Sequence, residues 1–172
     1  AFHSRVTAAD VHREGITEIT SADIAAAKMM DCTVKALAIC TSEEVEGERR
    51  ISVRTHTAMI PNSHPLASVG GAYNAVVVES TNAGRLMFYG PGAGGDPTAS
   101  AVMGDLVTIA RNRVRGTAGP GESAYAQRPV MGMGEVVTRY FISVEVVDQP
   151  GVRATVAASF AEHGVSVQTM RQ

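Results

Sequence analysis

Four glycines within six residues restrict most strongly how this chain can fold. The segment GPGAGG occupies residues 90–95, follows a predicted strand and precedes a predicted helix. It matches the pattern GxGxxG, in which glycines let backbone N–H groups approach a phosphate-bearing ligand at the N-terminus of a helix. A tight turn with a helix cap needs fewer glycines than this. The segment therefore leaves two interpretations open, a ligand-approaching loop and a purely structural turn.

A complete dinucleotide-binding fingerprint is not supported by the residues that follow. Such a fingerprint requires a parallel strand after the helix and an acidic residue about 20 positions further on. Here the helix leads instead into three arginines, Arg111, Arg113 and Arg115, and then into a glycine-rich segment. The sequence thus argues against a full Rossmann domain around residues 90–95.

Alternating apolar residues predict two antiparallel hairpins. Residues 51–58 alternate at Ile51, Val53 and Thr55, and they follow a predicted strand at 33–40 after a turn at 45–50. The second hairpin joins strands 74–79 and 85–89 through a turn rich in Asn and Gly.

Two helices are predicted in the same part of the chain. Thr20 and Asp23 have the spacing of a helix start and predict a helix over 21–31. The helix over 97–111 is expected to have Asp96 as its cap and Pro97 in its first turn. Its apolar residues recur at helical spacing and predict one buried stripe, formed by Ala99, Val102, Met103, Leu106, Val107 and Ala110.

The sequence pattern changes twice in the C-terminal third of the chain. Glycines and prolines interrupt residues 115–137, which we interpret as a linker, either disordered or draped over the surface. Residues 138–172 then read as a strand at 139–147, a helix at 150–163 and a strand at 165–170. A βαβ unit of this size cannot bury both faces by itself, so this part of the chain is expected to need partners.

Length and charge exclude several classes of protein. A chain of 172 residues holds one domain and a small appendage, and it starts without Met, as if in the middle of a longer protein. Its 15 basic and 17 acidic residues give a net charge of −2, which speaks against a nucleic-acid or anionic-membrane partner. No apolar stretch reaches membrane-spanning length. Cys32 and Cys40 are expected to be small buried residues in a reducing, cytoplasmic compartment.

No residue stands out as a catalytic group. His64 could carry a proton or bond at an interface, but beside Pro65 we favour a plain loop histidine. No three histidines have metal-ligand spacing, so no metal site is predicted. Four carboxylates are candidates for acid–base work, and none has an evident partner in the sequence: Glu14, Asp23, Asp96 and Asp105.

Several longer motifs resemble the catalytic and dimerisation region of homoserine dehydrogenase. The most specific is YGPGAGGDPTASAV at 89–102, supported by shorter matches that include REGI at 13–16, TVKALA at 33–38 and HPLA at 64–67. Residues 148–151 and 160–166 resemble the opening of an ACT domain. The resemblance implies an α+β fold with a mixed or largely antiparallel sheet covered by helices, followed by a partial, ferredoxin-like ACT unit. It divides the chain at 1–114 (catalytic and dimerisation region), 115–137 (linker) and 138–172 (partial ACT domain).

The resemblance also implies a function. Homoserine dehydrogenase is an oxidoreductase that interconverts L-homoserine and L-aspartate 4-semialdehyde with NADP or NAD, in threonine, methionine and isoleucine biosynthesis. Its Rossmann domain, catalytic lysine and aspartate, and homoserine-binding glutamate precede the family segment that matches residues 1–6. The chain alone is therefore expected to be an inactive C-terminal fragment of a homo-oligomer, dimer or tetramer.

Four positions carry over from the family to this sequence. Gly92, Ala93 and Gly94 match the loop that touches the cofactor near its nicotinamide end, and His64 matches a histidine near the active site or subunit interface. In the ACT-like segment, Gly151 falls where such domains often bind an amino-acid effector, of which threonine is one candidate.

Two alternatives lie outside catalysis. The chain could be a non-catalytic regulatory or oligomerisation module in which strand 74–79 pairs across a dimer and the C-terminal segment binds an amino acid. It could also be an α+β oligomerisation domain whose glycines are only structural.

Overall fold

The structure, a computed structural model, describes residues 2–119 and 125–170. Its internal contacts divide the chain into two compact units, Ala1–Thr138 and Arg139–Gln172.

A three-stranded mixed sheet forms the centre of the first unit. Strands β2 (Cys32–Val45) and β3 (Glu48–Pro61) make the predicted antiparallel hairpin. The turn is shorter than expected because Glu46 and Gly47 alone reverse the chain, with φ of 53° and 80°. Left-handed conformations at both central residues match the twist of the flanking strands, so pairing continues up to the turn. Strand β1 (His12–Arg13), which was not predicted, pairs in parallel with the other edge of β3.

The second predicted hairpin is also confirmed. Strands β4 (Tyr73–Ser80) and β5 (Gly84–Pro91) pair antiparallel as a separate two-stranded sheet. The register places four large apolar side chains on one face, and all four are exposed: Val76, Val78, Leu86 and Phe88. The described residues therefore leave one face of this hairpin uncovered.

Helix α1 (Ser21–Met29) begins as its sequence predicts. The Thr20 hydroxyl accepts from the Asp23 N–H, and the Asp23 carboxylate accepts from the Thr20 N–H and hydroxyl. These hydrogen bonds satisfy backbone donors at the helix start and hold the pKa of Asp23 below its usual value. Asp23 is thus a capping residue of α1.

Helix α2 (Gly95–Arg115) is longer than predicted and starts differently. Its N-cap is Gly94, so the expected capping role of Asp96 is wrong, whereas Pro97 does lie in the first turn. A glycine takes the cap position because its backbone there has φ of 128°.

The expectation that helices cover the sheet holds for α1 alone. Helix α1 packs on β2 and buries Ala27 to 1% exposure. Helix α2 has no buried residue, and the predicted apolar stripe is open, with Val102, Met103, Leu106 and Val107 all about half exposed. The stripe has the predicted helical spacing but meets no partner in the described part of the chain.

Part of the predicted linker is packed against the first unit. We refer to residues 125–136 as the strap. It follows the edge of β3 that also carries β1, and a parallel bridge joins Val130 to Ile51. Ile51, Met131 and Val136 are among the few buried apolar residues of the described chain. The strap therefore matches the draped alternative, while residues 120–124 lie outside the described part.

The second unit contains one helix, α3 (Val152–Glu162), which confirms the predicted helix. The predicted strands at 139–147 and 165–170 are absent from it: residues 139–149 and 165–170 carry no strand pairing. Alternating apolar residues are suited to a sheet, but an isolated strand has no ladder to join. The βαβ prediction was therefore wrong in its strands.

None of the helices in residues 2–119 and 125–170 combines the length and apolar character needed to cross a membrane.

Candidate ligand-binding loop and its surroundings

The predicted glycine loop, residues 90–95, joins the end of β5 to the start of α2. The Gly92 N–H donates to the carbonyl oxygen of Ala72 at 2.9 Å, which fixes the loop to the start of β4. Apart from half-buried Gly90, all residues of the loop are exposed. The loop thus has an anchored side and an open side.

Glycine is favoured at two positions of the loop, for two different structural reasons. A Cβ on Gly92 would lie 1.4 Å from Nδ2 and 2.5 Å from Cγ of Asn74, so the loop packs tightly against its own chain there. Gly94 has φ of 128° and ψ of 150°, a backbone region essentially reserved for glycine. Gly90 and Gly95 have open space where a Cβ would be. Local packing and conformation account for Gly92 and Gly94 and leave Gly90 and Gly95 unexplained.

The N-terminus of α2 has no side-chain cap. The first N–H groups of a helix have no partner within the helix, and here Gly94 supplies no side-chain oxygen to bond them. The Thr98 N–H, which donates to the Gly94 carbonyl at 3.3 Å, belongs to the first closed turn. Before it, Gly95 and Asp96 are exposed residues whose N–H groups have no partner among the described residues, whereas Pro97 has no N–H. Asp96 brings a carboxylate into the same first turn.

Two stacked tyrosines lie at the base of the loop. The ring centroids of Tyr73 and Tyr89 are 4.9 Å apart and the rings are nearly parallel, at 8°. Sequence reasoning missed this pair. The hairpin register, in which Ala75 faces Tyr89, makes the two tyrosines diagonal neighbours on one face and could have identified them.

His64 has a structural role in its own loop. Its Nδ1 accepts from the Leu66 N–H at 3.2 Å and begins the short 3-10 turn Pro65–Ser68. The Lys35 ammonium donates to the Val69 carbonyl and ties the end of this turn to β2. Among the described residues, no hydrogen bond joins His64 to the glycine loop. The loop-histidine interpretation explains the contacts that His64 makes here.

The four candidate carboxylates are not brought together. Asp23 caps α1 and Asp96 lies in the first turn of α2. Glu14 bonds Nε2 of His12 at 2.9 Å, a partner that the sequence did not reveal, and Asp105 is exposed. Over residues 2–119 and 125–170, no three His, Cys, Asp or Glu side chains converge as a metal site.

The two cysteines are free thiols, and the expectation that both are buried is wrong for Cys40, which is exposed. Cys32 is half-buried. Desolvation of the Cys40 sulfur raises the pKa of this thiol.

Gly151 lies in the second unit, at the N-cap of α3. Its φ is 91°, and its carbonyl accepts from the Thr155 hydroxyl at 3.2 Å. A Cβ there would meet nothing within 4 Å, so backbone conformation alone accounts for this glycine.

The fold and the loop first define a class. A mixed sheet, a separate hairpin and an uncapped helix behind a glycine loop describe an α+β protein with small sheets. In residues 116–119 and 125–170, no parallel strand of the kind that a Rossmann domain requires follows the helix.

Comparison with known proteins then identifies the family. Residues 1–107 match the family described as homoserine dehydrogenase. Homoserine dehydrogenase of Mycobacterium tuberculosis is 59% identical over the whole chain, and that of Corynebacterium glutamicum is 54% identical. A solved structure of a homoserine dehydrogenase from Thiobacillus denitrificans superposes on 98% of the chain, with a TM-score of 0.78 and 28% identity. The chain belongs to the homoserine dehydrogenase family.

The match covers only part of those relatives. The chain spans 39% of the length of the Mycobacterium and Corynebacterium enzymes and 39% of the Thiobacillus structure.

Proposed function

We propose that this chain is the part of a homoserine dehydrogenase that carries the catalytic scaffold and its glycine loop. The enzyme would interconvert L-homoserine and L-aspartate 4-semialdehyde with NADP or NAD, in the biosynthesis of threonine, methionine and isoleucine. The observation that carries the proposal is the open, uncapped glycine loop within a chain that matches homoserine dehydrogenases from end to end.

The loop fits the nicotinamide end of the cofactor better than its phosphates. Gly92, Ala93 and Gly94 present backbone without a bulky side chain. The exposed N–H groups at the start of α2 can donate hydrogen bonds to the carboxamide oxygen of the nicotinamide. The Asp96 carboxylate in the first turn would repel a phosphate at the positive end of the helix dipole. The same negative charge suits the oxidised nicotinamide ring, which is cationic.

When bound, the nicotinamide supplies hydride chemistry. In this proposal the loop backbone would contact the nicotinamide, orient it and exclude water there. Because no side chain at 92–94 is larger than that of Ala93, backbone N–H groups of the loop could donate hydrogen bonds to the group. No described residue is assigned the proton transfer, which the resemblance gives to a lysine preceding the segment that matches residues 1–6.

Two uncovered apolar surfaces support a homo-oligomer, dimer or tetramer. On the exposed hairpin face, Val76 and Phe88 are about 60% exposed, and the α2 stripe is about half exposed. Apolar surfaces of this kind are normally covered in a stable protein. His64 would lie near the active site or the subunit interface.

For the second unit we propose a regulatory role. Residues 138–172 would form the first half of an ACT domain, and Gly151 would lie in the loop that binds an amino-acid effector such as threonine. The uncovered residues on both sides of α3 would then pair with a further segment of that domain.

The activity is tested with the full-length enzyme that carries this region. We expect L-homoserine to drive reduction of NADP or NAD, followed by near-ultraviolet absorbance, because both substrates then meet at the glycine loop. L-serine, one methylene shorter, is the matched control and should react far more slowly. Failure of L-homoserine to reduce either nucleotide would refute the proposed activity.

A further inference from the structure

The strap, residues 125–136, makes an unusual set of contacts at its C-terminal half. The Ile51 N–H donates to the Pro129 carbonyl at 3.0 Å, and the Met131 N–H donates to the Ile51 carbonyl at 2.8 Å. Ile51 is 1% exposed and Met131 is 8% exposed. The strap is therefore held to β3 by a parallel bridge between Val130 and Ile51, and Met131 is buried beside that bridge.

The N-terminal half of the strap holds a different segment. The Ala126 N–H donates to the His3 carbonyl at 2.8 Å, and the Arg5 N–H donates to the Ala126 carbonyl at 3.0 Å. The Ser4 hydroxyl donates to the same carbonyl at 3.1 Å and accepts from the Arg128 N–H at 3.3 Å. Four hydrogen bonds thus join residues 3–5 to a segment more than 120 positions away in the sequence.

One residue of the segment 3–5 has an uncommon backbone conformation. His3 has φ of 47°, a left-handed conformation that residues with a Cβ rarely adopt. Such a conformation persists where surrounding contacts determine it. The bonds from Ala126 to both neighbours of Ser4 supply that constraint.

The other end of the strap is anchored as well. The Arg50 guanidinium lies 3.0 Å from Oε1 of Glu135, and Oε2 of Glu135 accepts from the Gly132 N–H at 2.9 Å. Val136 is buried at 7% exposure. Because both ends are fixed, the bonds to residues 3–5 come from a segment that is itself held in place.

We propose that the strap is a positioning element of the enzyme. It clamps residues 3–5 at the edge of β3 and so fixes where the chain enters the catalytic region. This inference rests on the proposed function, in which the family's catalytic lysine precedes the segment that matches residues 1–6. Ser4 and Ala126 are positioning residues in this scheme, because they act only through the backbone that they hold.

The test compares matched variants of the full-length enzyme. Ala126→Pro removes the N–H that bonds His3, whereas Gln127→Pro removes an exposed N–H for which the described residues provide no partner. Ser4→Ala removes the bridging hydroxyl, and Ser4→Thr retains it. Turnover of homoserine, its KM, and hydrogen–deuterium exchange of residues 3–5 are measured for each variant.

We expect Ala126→Pro and Ser4→Ala to speed exchange of residues 3–5. Both should lower kcat about tenfold or more with little change in KM, since small misplacements of reacting groups are costly. Gln127→Pro and Ser4→Thr should stay close to the unaltered enzyme. If Ala126→Pro does not fold, the two Ser4 variants decide.

Faster exchange with an unchanged kcat would overturn the proposal, as would unchanged exchange in both clamp variants. A failure of the proposed function has a different signature, because the unaltered enzyme would then not turn over homoserine at all.

Discussion

Replacing Gly94 with valine in the full-length enzyme is expected to raise the Kd of the nicotinamide cofactor about tenfold or more, equivalent to at least about 1.4 kcal/mol. Gly94 has φ of 128°, where a β-branched residue is strained by about 1–3 kcal/mol. Its Cβ would also lie 3.3 Å from Cδ of Pro97. The loop must then change shape, and the added methyl groups would occupy the side from which the ring approaches.

The matched control is a second glycine of the same helix. Gly104 lies within α2, outside the glycine loop, and a Cβ there meets nothing within 4 Å. Gly104→Ala should leave the cofactor Kd unchanged, because alanine is favoured over glycine in a helix. Fluorescence titration with NADPH and NADH measures both variants. A Gly94→Val enzyme with unaltered Kd and turnover would rule out contact between this loop and the cofactor.

The second large effect concerns the 172-residue chain alone, which is expected to form no NAD(P)H from L-homoserine. Among the described residues, no pair of acid and base groups converges on the glycine loop, and Glu14, Asp23 and His64 are engaged in local contacts. The loop could still touch a nicotinamide, but it offers no means to orient the whole dinucleotide or to move the hydroxyl proton.

This result is checked with purified chain whose helix content is verified by circular dichroism, assayed beside the full-length enzyme. Homoserine-dependent NAD(P)H formation by the chain itself would overturn the expectation and would place a complete active site within these residues.

Local signals predicted the elements that depend on neighbouring residues. The capping box at Thr20 and Asp23 fixed the start of α1, and period-two alternation located both hairpins. The first turn was misjudged only in length, since Glu46 and Gly47 suffice to reverse the chain. The pattern at 90–95 predicted a loop between a strand and a helix, which the structure has, but did not reveal the close approach of Gly92 to Asn74.

Features that depend on distant residues could not be predicted in this way. The short strand β1 and the strap both exist because β3 offers an edge to them, and neither segment has a strand-like pattern. Conversely, residues 139–147 have a strand-like pattern and no edge to join, so no strand forms. The motif resemblance identified the family because several long segments match in order along the chain. His64 alone would have suggested only a loop.

Contact between the glycine loop and the dinucleotide is tested most directly by hydrogen–deuterium exchange of the full-length enzyme with and without saturating NADPH or NADH. We expect exchange at residues 93–95 to slow markedly when the cofactor is bound, while α1, residues 21–29, stays unchanged. Identical exchange at residues 93–95 in the free and the cofactor-saturated enzyme would contradict the proposed role of this loop.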